Sequence, residues 1–391
     1  MLERGINHLQ SQVDCNGNLR VIEPCLSEDL KNFQNKLERL KELLPANIES
    51  MDLQDKDRSN MEKSLKKKLI SSANVICTTL ANCHALSDIS SSLKFDICII
   101  DEATMCTEIS CLTVLQYRVR KLILVGDLEQ FPAKVCGEES ANAGLNESLF
   151  LRIRNSFLET HLEGMKMLTK QYRMHPEILK WPNDFFYNGI LTTDPKTTNF
   201  DEFPFEPYTV CSLEYEKNSS PIELKITDRA EFRFALMLVC ELSQYCEQHT
   251  TIVLIAPQGW QQYCKKYLHN KHITQVLVKT VDSAQGQEFD VVVLPLPCTG
   301  GAGFLDTLNR INIALTRAKK CLIMCGTLTN LMENAIWKLL FRDAKLRNRI
   351  YDIKESDLEN EEVFTRKVIN RLRKTIRFFS RQNGEDLNFG F

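Results

Sequence analysis

Residues 97–102 read Ile-Cys-Ile-Ile-Asp-Glu, a short apolar run that ends in two adjacent acids, and this stretch is the strongest indication of the fold class. An uninterrupted apolar run rich in β-branched residues is typical of a strand buried on both faces of a parallel sheet. Ligands of open α/β sheets bind beyond the carboxyl ends of the strands, which is where the two acids stand. Residues 122–127 repeat the pattern as Leu-Ile-Leu-Val-Gly-Asp. We therefore predict a parallel sheet with an acidic ligand site at one end of its strands.

Further apolar runs indicate that strands alternate with helices over most of the chain. We predict strands at residues 74–78, 96–100, 121–125, 251–256, 276–280, 291–296 and 321–325. Alternation of this kind predicts a doubly wound α/β fold. The interval between the third and fourth runs is long, and its part from 191 to 225 is rich in Thr, Pro and Asn. This change in amino-acid composition indicates a domain boundary near residues 150–165.

The predicted organisation is an α/β protein with two parallel-sheet domains, of which the first is incomplete, and with helical extensions at both ends. Its parts are a helical segment at 1–72, a partial first domain at 73–160, a second domain at 161–328 and a helical basic tail at 329–391. In the first segment, apolar residues recur at helical steps over 28–70, whereas the polar stretch 52–60 predicts a turn.

Two basic stretches are candidates for nucleic-acid contact. Residues 63–68 carry four lysines, which we interpret as the solvated face of a helix. Residues 363–383 carry seven Lys or Arg side chains and no acid, with apolar residues at mostly four-residue steps. We favour a basic amphipathic helix packed on the core, and a nuclear-targeting or nucleic-acid-binding role is the alternative.

Composition excludes some function classes. The formal net charge is −2, so attraction to nucleic acid must come from local patches rather than from the whole chain. No apolar run approaches the roughly 18 to 20 residues that span a bilayer. The first residues, Met-Leu-Glu-Arg-Gly, have no apolar core like that of a secretory signal. We expect an intracellular protein that does not bind membranes.

The 15 cysteines are scattered and odd in number, so we interpret them as core thiols rather than disulfides. Cys264, His269 and His272 are close in sequence, but their spacing fits no common zinc pattern and a fourth ligand is lacking. We reject a zinc site.

The two strand ends of the first domain carry the first candidate catalytic groups. Asp101 can hold Mg²⁺ through its water shell, and Glu102 can orient or deprotonate a water that attacks a phosphoanhydride. Gln130, shortly after the second strand, offers an amide that can touch a γ-phosphate and the attacking water. Taken alone, acids after a strand also serve as helix caps, and Gly126 is also typical of an ordinary tight turn.

Two arginines in later blocks are the candidate cations of the second domain. Arg173 lies in Gln-Tyr-Arg-Met-His-Pro (171–176) and Arg317 in Ala-Leu-Thr-Arg (314–317). Planar guanidinium groups that face a carboxylate pair would neutralise the charge that develops during phosphoryl transfer. His175 stands next to a proline, so a structural role is favoured over that of a base.

Hydroxyl and amide side chains at strand ends are candidates for contact with a sugar-phosphate backbone or a nucleotide. The candidate nucleic-acid contacts are Thr78, Thr79, Thr280 and Ser283, and the further candidate nucleotide contacts are Gln171, Gln285 and Glu288. Of these, Glu288 is suited to accept a hydrogen bond from a ribose hydroxyl.

The order and spacing of these blocks resemble the superfamily-1B helicases of the senataxin and nonsense-mediated-decay group. The hexapeptide at 171–176 and the stretch Thr-Val-Asp-Ser-Ala-Gln-Gly-Gln-Glu at 280–288 are highly specific to that group, and the resemblance covers about residues 73 to 328. It implies two RecA-like domains, ATP hydrolysis with Mg²⁺ and 5′-to-3′ movement on single-stranded RNA or DNA by a monomer.

The resemblance also implies roles for individual residues. Asp101 and Glu102 would be the Walker B pair and Gln130 the γ-phosphate sensor. Arg173 and Arg317 would be the arginine fingers. The departures are mild at Phe131-Pro132-Ala133 and at Ala284, where the family has Leu-Pro-Pro and an aromatic residue.

The severe departure is that no glycine-rich loop in the sequence ends in Gly-Lys-Ser or Gly-Lys-Thr. Without such a loop the β- and γ-phosphates lose their main cradle. We expect the carboxy-terminal part of an ATP-dependent helicase, present as a fragment or isoform. The alternative is a catalytically inactive relative that binds nucleic acid or serves as a scaffold. RNA-processing or decay proteins are expected partners, and a nuclear location is favoured over a cytoplasmic one.

Overall fold

Parallel strands form both main sheets of the protein, in a computed structural model that describes residues 55–89, 93–160, 164–198, 203–214, 230–296, 305, 307–358 and 360–374. The chain divides into two compact units. The first unit is Met1–Asp127 with Pro132–His161, and the second is Leu128–Phe131 with Leu162–Phe391. The part of the predicted helical segment before residue 55, and the part of the basic tail after residue 374, lie outside the described residues.

The described part of the first unit has one short sheet. Its strands β1 (Ile97–Ile100) and β2 (Lys121–Leu124) are parallel, with Ile97 opposite Lys121. Its helices are α1 (Asp55–Ser72), α2 (Leu80–Ile89), α3 (Glu108–Leu112), α4 (Glu138–Asn142) and α5 (Leu149–Thr160). A small core at one face includes Ile100, Cys111 and Tyr117, whose hydroxyl donates to the Cys83 carbonyl.

Two predictions for the first unit are wrong. Residues 74–78 are not a strand, and Val75 in this stretch is 71% exposed. An apolar run becomes a strand only where a neighbouring strand completes its hydrogen bonds, and among the described residues no strand lies beside it. The predicted turn at 52–60 is also wrong from residue 55 onward, because helix α1 begins at Asp55.

The second unit is built on a six-stranded parallel sheet. Its strands are β5 (Tyr208–Glu214), β6 (Ile252–Ile255), β7 (Val276–Lys279), β8 (Phe289–Leu296), β9 (Ala318–Gly326) and β10 (Ile350–Lys354), in the order β10-β5-β9-β8-β6-β7. A separate pair of short strands, β3 (Lys170–Gln171) and β4 (Thr192–Thr193), precedes it in the chain.

Helices cover both faces of this sheet, so alternate residues of one strand enter different cores. The helices are α6 (Pro176–Phe186), α7 (Ala230–Tyr245), α8 (Gln261–Asn270), α9 (Val281–Ala284), α10 (Leu308–Leu315), α11 (Leu328–Leu331), α12 (Ala335–Leu346), α13 (Glu361–Phe364) and α14 (Asn370–Leu372). In β8, Val291 and Val293 pack with α7 and α8, whereas Val292 and Leu294 pack with α6, α10 and α12. Burial on both faces explains why this strand is a continuous apolar run.

The parallel α/β prediction is confirmed, and six of the seven predicted strands exist. In the six-stranded sheet, strands β5 and β10 were missed by the sequence analysis. The second of these corrects the prediction of a purely helical tail, because β10 pairs with β5 in the main sheet. Within the described residues, no helix is both long and apolar enough to cross a membrane.

Candidate nucleotide and nucleic-acid sites

The two acids of the first unit lie in a tight turn directly after β1. Asp101 is exposed and Glu102 is half-buried. The backbone N–H of Glu102 donates to Oδ1 of Asp101 at 3.0 Å, and Glu102 has a left-handed φ of 52°. A residue other than glycine rarely adopts this conformation, and residues held in it often belong to functional sites. The turn therefore fixes both carboxyl groups at the carboxyl end of the strand.

The turns after β1 and β2 are packed against each other within the first unit. Thr104 is 2% exposed, and its hydroxyl donates to the Asp127 carbonyl at 3.3 Å. A Cβ atom on Gly126 would stand 2.9 Å from Cγ2 and 3.0 Å from the backbone nitrogen of Thr104. Glycine is therefore required at this position, because any side chain would push the two turns apart. The acids after β1 and the Gly126-Asp127 turn form one local surface.

A magnesium ion fits this surface through a single carboxylate. Among the described residues, no three or more His, Cys, Asp and Glu side chains cluster as metal ligands. Mg²⁺ in phosphoryl-transfer sites keeps several waters and takes one or two protein carboxylates, with phosphate oxygens as further ligands. The exposed carboxylate of Asp101 meets that requirement, and the predicted metal role of this residue stays a prediction.

Thr78 and Thr79 lie before helix α2, in a stretch without regular structure. The hydroxyl oxygen of Thr79 accepts from the backbone N–H of Asn82 at 3.3 Å, which is a helix N-cap bond. The hydroxyl of Thr78 donates to the Thr79 carbonyl at 3.4 Å. Both residues are exposed. Thr79, one of the two residues predicted to contact a nucleic-acid strand, therefore also has a structural role as a helix cap.

Arg317 is the most buried charged side chain of the second unit's candidate site, at 2% exposed. Its Nε donates to the Ile313 carbonyl at 3.0 Å, and Nη1 donates to the Gln287 carbonyl at 3.3 Å. Its Nη2 donates to the Thr316 hydroxyl at 3.1 Å and to Oε1 of Gln130 at 3.4 Å. Four oxygen acceptors thus hold the guanidinium group in one orientation.

The segment Leu128–Phe131 belongs to the second unit, where two asparagines of helix α10 hold its backbone. Nδ2 of Asn309 donates to the Gln130 carbonyl at 2.6 Å, and Nδ2 of Asn312 donates to the Glu129 carbonyl at 3.0 Å. Asn312 is fully buried. These bonds fix the backbone on both sides of the Gln130 α-carbon, and therefore present its amide to Arg317.

The sequence analysis did not identify Asn309 and Asn312 as functional residues. Their three-residue spacing on a helix places both side chains on one face, which is the signal that could have found them. Their partners, however, lie about 180 positions away in the chain. Spacing alone gives no indication of such a contact.

Arg173 lies next to Glu288, which the sequence analysis assigned to ribose recognition. Nε of Arg173 donates to Oε2 of Glu288 at 3.0 Å, and Nη1 donates to the Thr316 carbonyl at 3.2 Å. Nζ of Lys319 is 3.9 Å from Oε1 of Glu288. Thr316 thus contacts both predicted arginine fingers, because its carbonyl accepts from Arg173 and its hydroxyl oxygen accepts from Arg317. The second unit therefore brings the two arginines together.

Gln171 holds the loop that presents Arg173. Its Oε1 accepts from the backbone N–H groups of Arg173 at 2.8 Å and Met174 at 2.7 Å. Its Nε2 donates to the Met174 carbonyl and to the Thr193 hydroxyl, both at 2.7 Å. The amide is therefore engaged in positioning the loop. The predicted nucleotide contact of Gln171 stays a prediction.

His175 caps helix α6, with Nδ1 accepting from the backbone N–H of Glu177 at 3.1 Å. This confirms the structural role that the sequence analysis favoured over a basic one.

Thr280 and Ser283 form a capping box at the start of helix α9. The Thr280 hydroxyl oxygen accepts from the Ser283 N–H at 3.1 Å, and the Ser283 hydroxyl oxygen accepts from the Thr280 N–H at 2.9 Å. Gln285 follows at the end of this helix, before Gly286 with a φ of +69°. Ser283 is exposed on this loop.

Asp290 lies at the amino-terminal end of β8, two residues after Glu288, and connects this strand to its neighbours. Its Oδ2 accepts from the backbone N–H of Thr251 at 2.9 Å and from the Thr251 hydroxyl at 2.8 Å. Lys319 and Lys320 lie 3.6 and 3.2 Å from its Oδ1. Burial acts to raise the pKa of Asp290, but the bonds from Thr251 and the two lysines outweigh it and lower the pKa below the usual 3.8.

Several known proteins are similar in sequence to this chain. Two sequence families that share the description AAA domain match residues 4–138 and 145–329. Helicase SEN1 of Saccharomyces cerevisiae is 28% identical over 354 residues, which cover 83% of this chain and 16% of that protein.

Two further relatives are similar over a comparable part of the chain. The probable helicase senataxin of Homo sapiens is 31% identical over 314 residues, which cover 72% of this chain and 11% of that protein. The regulator of nonsense transcripts 1 homolog of Drosophila melanogaster is 27% identical over 383 residues, covering 91% and 31%. The chain therefore spans less than a third of the length of each of these three relatives.

Proposed function

Because this chain belongs to the helicase group that includes Sen1, senataxin and the regulator of nonsense transcripts 1, we propose that it carries part of the machinery of an ATP-dependent helicase. The family resemblance and the parallel α/β fold class predicted from the sequence are confirmed. The proposed activity is 5′-to-3′ movement on single-stranded RNA or DNA, coupled to ATP hydrolysis.

The observation that supports this proposal best is the group formed by Arg173, Arg317 and Gln130 in the second unit. Arg317 contacts the Gln130 amide, and both arginines contact Thr316. Preoriented guanidinium groups stabilise the charge that develops on the phosphoryl oxygens, and they need no reorganisation during the reaction. In this role Gln130 orients the attacking water beside the γ-phosphate.

The acids of the first unit have proposed roles of their own. Asp101 would hold Mg²⁺ through water, and the ion when bound would neutralise phosphate charge. Glu102 would accept the proton of the attacking water or orient that water. Gln171, Gln285 and Glu288 are the proposed further nucleotide contacts. Thr78, Thr79, Thr280 and Ser283 are the proposed contacts of the nucleic-acid strand.

ATP turnover is the first test of the proposal. The sequence has no Gly-Lys-Ser or Gly-Lys-Thr loop, so we propose that hydrolysis at family-like rates requires such a loop from outside this chain. The purified chain is expected to show no strand-stimulated hydrolysis above the level of its Glu102→Gln variant, measured as phosphate release. Robust hydrolysis that Glu102→Gln abolishes would contradict the need for a further loop and leave the enzymatic role intact.

Strand binding is the second test. The purified chain is expected to bind fluorescent single-stranded RNA or DNA with an affinity that falls steeply as salt rises, because phosphate contacts release counterions. Anisotropy titrations at 50 and 200 mM salt measure this slope. Ser283→Ala is expected to weaken binding, whereas Ser243→Ala, on helix α7, serves as a matched control. Absent or salt-insensitive binding would count against the proposal.

We further propose a nuclear location and RNA-processing or decay proteins as partners. The support is the basic stretch 363–383 and the family resemblance. Imaging a fluorescently tagged chain with and without residues 375–391 tests the location, and retention in the cytoplasm by the intact chain would contradict it.

A further inference from the structure

Strand β7 is the last strand of the six-stranded sheet, and only one of its two edges is paired. It pairs in parallel with β6, and among the described residues no strand pairs with its outer edge. An open strand edge presents backbone donors and acceptors to any extended chain that reaches it.

The backbone groups that point outward belong to Val276 and Val278. The Lys279 carbonyl accepts from the Ala256 N–H at 2.9 Å, on the β6 side. The backbone groups of successive residues in a strand point to opposite sides, so the N–H and C=O of Val278 point away from β6, and those of Val276 do the same. Two donors and two acceptors are therefore available on one edge. The side chains of both valines are buried, which holds this edge in place.

A groove of about 510 Å³ runs beside this edge, between β7 and the end of helix α8. Its apolar lining includes Leu268, Ile273 and Leu277. Leu277 lies in the middle of the strand and is 42% exposed. A groove of this composition accepts apolar side chains, which project at alternate positions from an extended peptide.

The titratable side chains that line the groove are all basic. They are Lys265, His269, His272 and Lys279, and no carboxylate lines it. Among the described residues, no acid forms an ion pair with Lys265 or Lys279. The groove therefore attracts negative charge, in a chain whose net charge is slightly negative.

The chemistry of the occupant follows from these three features. A nucleic-acid strand would satisfy the lysines, but it has neither the regularly spaced amide groups that pair with a strand edge nor aliphatic side chains for the groove. A polypeptide with alternating acidic and apolar residues satisfies all three. We propose that the outer edge of β7 binds an extended acidic and apolar peptide of a partner protein, which adds to the sheet as a seventh strand.

This proposal is independent of ATP hydrolysis and is tested with a synthetic probe. The probe is a fluorescein-labelled Glu-Val-Glu-Ile-Glu-Val-Glu peptide, titrated with the full chain and followed by anisotropy. The control probes are Lys-Val-Lys-Ile-Lys-Val-Lys and a single-stranded oligouridylate. The acidic peptide is expected to bind, to outcompete the basic peptide, and to slow amide hydrogen exchange within residues 276–279.

Two neighbouring lysines of α8 provide a matched pair of variants. Lys265 lines the groove, whereas Lys266 is exposed on the same helix and does not line it. Lys265→Glu is expected to weaken peptide binding about fivefold to tenfold, since one attractive charge pair becomes repulsive. Lys266→Glu is expected to leave the affinity within about twofold.

Val278→Pro tests the strand edge itself. Proline removes the outward N–H of Val278 and none of the hydrogen bonds to β6, so binding is expected to be lost while the sheet persists. Circular dichroism checks the fold, and the lysine pair decides the question if this variant does not fold.

Three outcomes would overturn the proposal. Equal effects of the two lysine variants, or exchange protection elsewhere than 276–279, would show that the peptide does not bind at this edge. Displacement of the peptide by oligouridylate, with the same dependence on Lys265, would assign the groove to nucleic acid. If the acidic peptide failed to bind, the basic side chains at this edge would serve only to prevent edge-to-edge aggregation of the sheet.

Discussion

The two parallel sheets of this protein differ in how completely their strands are buried. In the second unit, every residue of β8 is buried between helices on both faces. In the first unit, β1 has one buried residue, and its Ile97 and Ile99 are 57% and 64% exposed. Full burial of an isoleucine contributes about 1.5–3 kcal/mol. Among the described residues, the first sheet therefore forgoes several kcal/mol that the second obtains.

In the first unit, the turns that carry the two acids are better fixed than the sheet that supports them. The turns after β1 and β2 are well fixed, by Thr104 and by the bond within Asp101-Glu102, although the apolar face of the strand is exposed. Local hydrogen bonds are sufficient to arrange the acids. Stability of the surrounding unit requires additional apolar burial, which the described residues of the first unit do not supply.

A matched pair of isoleucine substitutions tests this contrast with the largest expected effect. Ile255 in β6 is fully buried, whereas Ile99 in β1 is mostly exposed. Ile255→Ala is expected to lower the free energy of unfolding of the second unit by about 3–4 kcal/mol, since it removes buried methyl groups and leaves a cavity. Ile99→Ala is expected to change the stability of the first unit by less than about 0.5 kcal/mol.

Different probes report on the two units in the same urea titration. All three tryptophans (Trp181, Trp260 and Trp337) lie in the second unit, so their fluorescence follows its unfolding. The buried thiols of Cys83 and Cys111 report on the first unit, because they react with an alkylating reagent only when it opens. A loss above about 2 kcal/mol for Ile99→Ala would mean that this face of β1 is covered in solution.

The second prediction concerns the pH dependence of the fully covered sheet. The pKa of Asp290 is lowered in the folded protein, so this carboxylate stabilises the second unit at pH values above its unfolded value, near 3.8. That stabilisation is lost as the pH falls below 3.8 through the folded value. Asp290→Asn is expected to cost about 1–3 kcal/mol at pH 7, because bonds to Thr251 lose their charged acceptor.

Urea titrations followed by tryptophan fluorescence at pH 7 and at pH 3 measure the effect. The difference between wild type and variant is expected to shrink at the lower pH. Asp352→Asn on the edge strand β10 is the matched control, since Asp352 forms no side-chain ion pair among the described residues. A difference that stays constant between the two pH values would refute the role assigned to Asp290.

Features that depend on contacts between residues close in sequence were predicted from the sequence. Features that depend on contacts with distant residues were not. Continuous apolar runs identified β6, β8 and β9 because both faces of these strands are buried. The edge strand β10 reads Ile-Tyr-Asp-Ile-Lys and is only partly buried, so it has no continuous apolar run, and the sequence analysis included it in the helical tail. The run at 74–78 was apolar, but its conformation depends on a neighbouring strand that sequence periodicity does not reveal.

The candidate site shows the same division. The motifs identified Arg173, Arg317 and Gln130, since each motif is a local arrangement of side chains. The roles of Gln171 and Asn312 became apparent only in three dimensions. Gln171 is occupied with its own loop, and the partners of Asn312 are distant in sequence. Motif residues are predictable where their spacing defines the chemistry, and their supporting contacts are not.

The third prediction concerns the segment Leu128–Phe131, which follows β2 in sequence but belongs to the second unit. Asn312→Ala removes the donor to the Glu129 carbonyl and is expected to cost about 1–2 kcal/mol of local stability. Hydrogen exchange of residues 128–131 should therefore accelerate about fivefold to thirtyfold. Asn309→Ala is expected to act in the same way.

Asn270→Ala, at the exposed end of helix α8, is the control for these two variants. It should leave exchange at 128–131 unchanged. If neither asparagine variant altered this exchange while the rest of the second unit stayed folded, the asparagines would not be what holds Gln130 in place.

The smallest expected effect separates the two threonines of the first unit. Thr79 accepts a capping bond from Asn82, so Thr79→Ala is expected to lower the stability of the first unit by about 1 kcal/mol. Thr78 is exposed and, among the described residues, its hydroxyl bonds only to the neighbouring carbonyl, so Thr78→Ala should change stability by less than about 0.5 kcal/mol. Thiol reactivity of Cys83 in urea measures both.

If both variants also weaken binding of single-stranded RNA equally, the cap and the proposed strand contact coexist at Thr79. If Thr79→Ala lowers stability without affecting RNA binding, Thr79 is a capping residue only, and the strand contact of this loop is confined to Thr78.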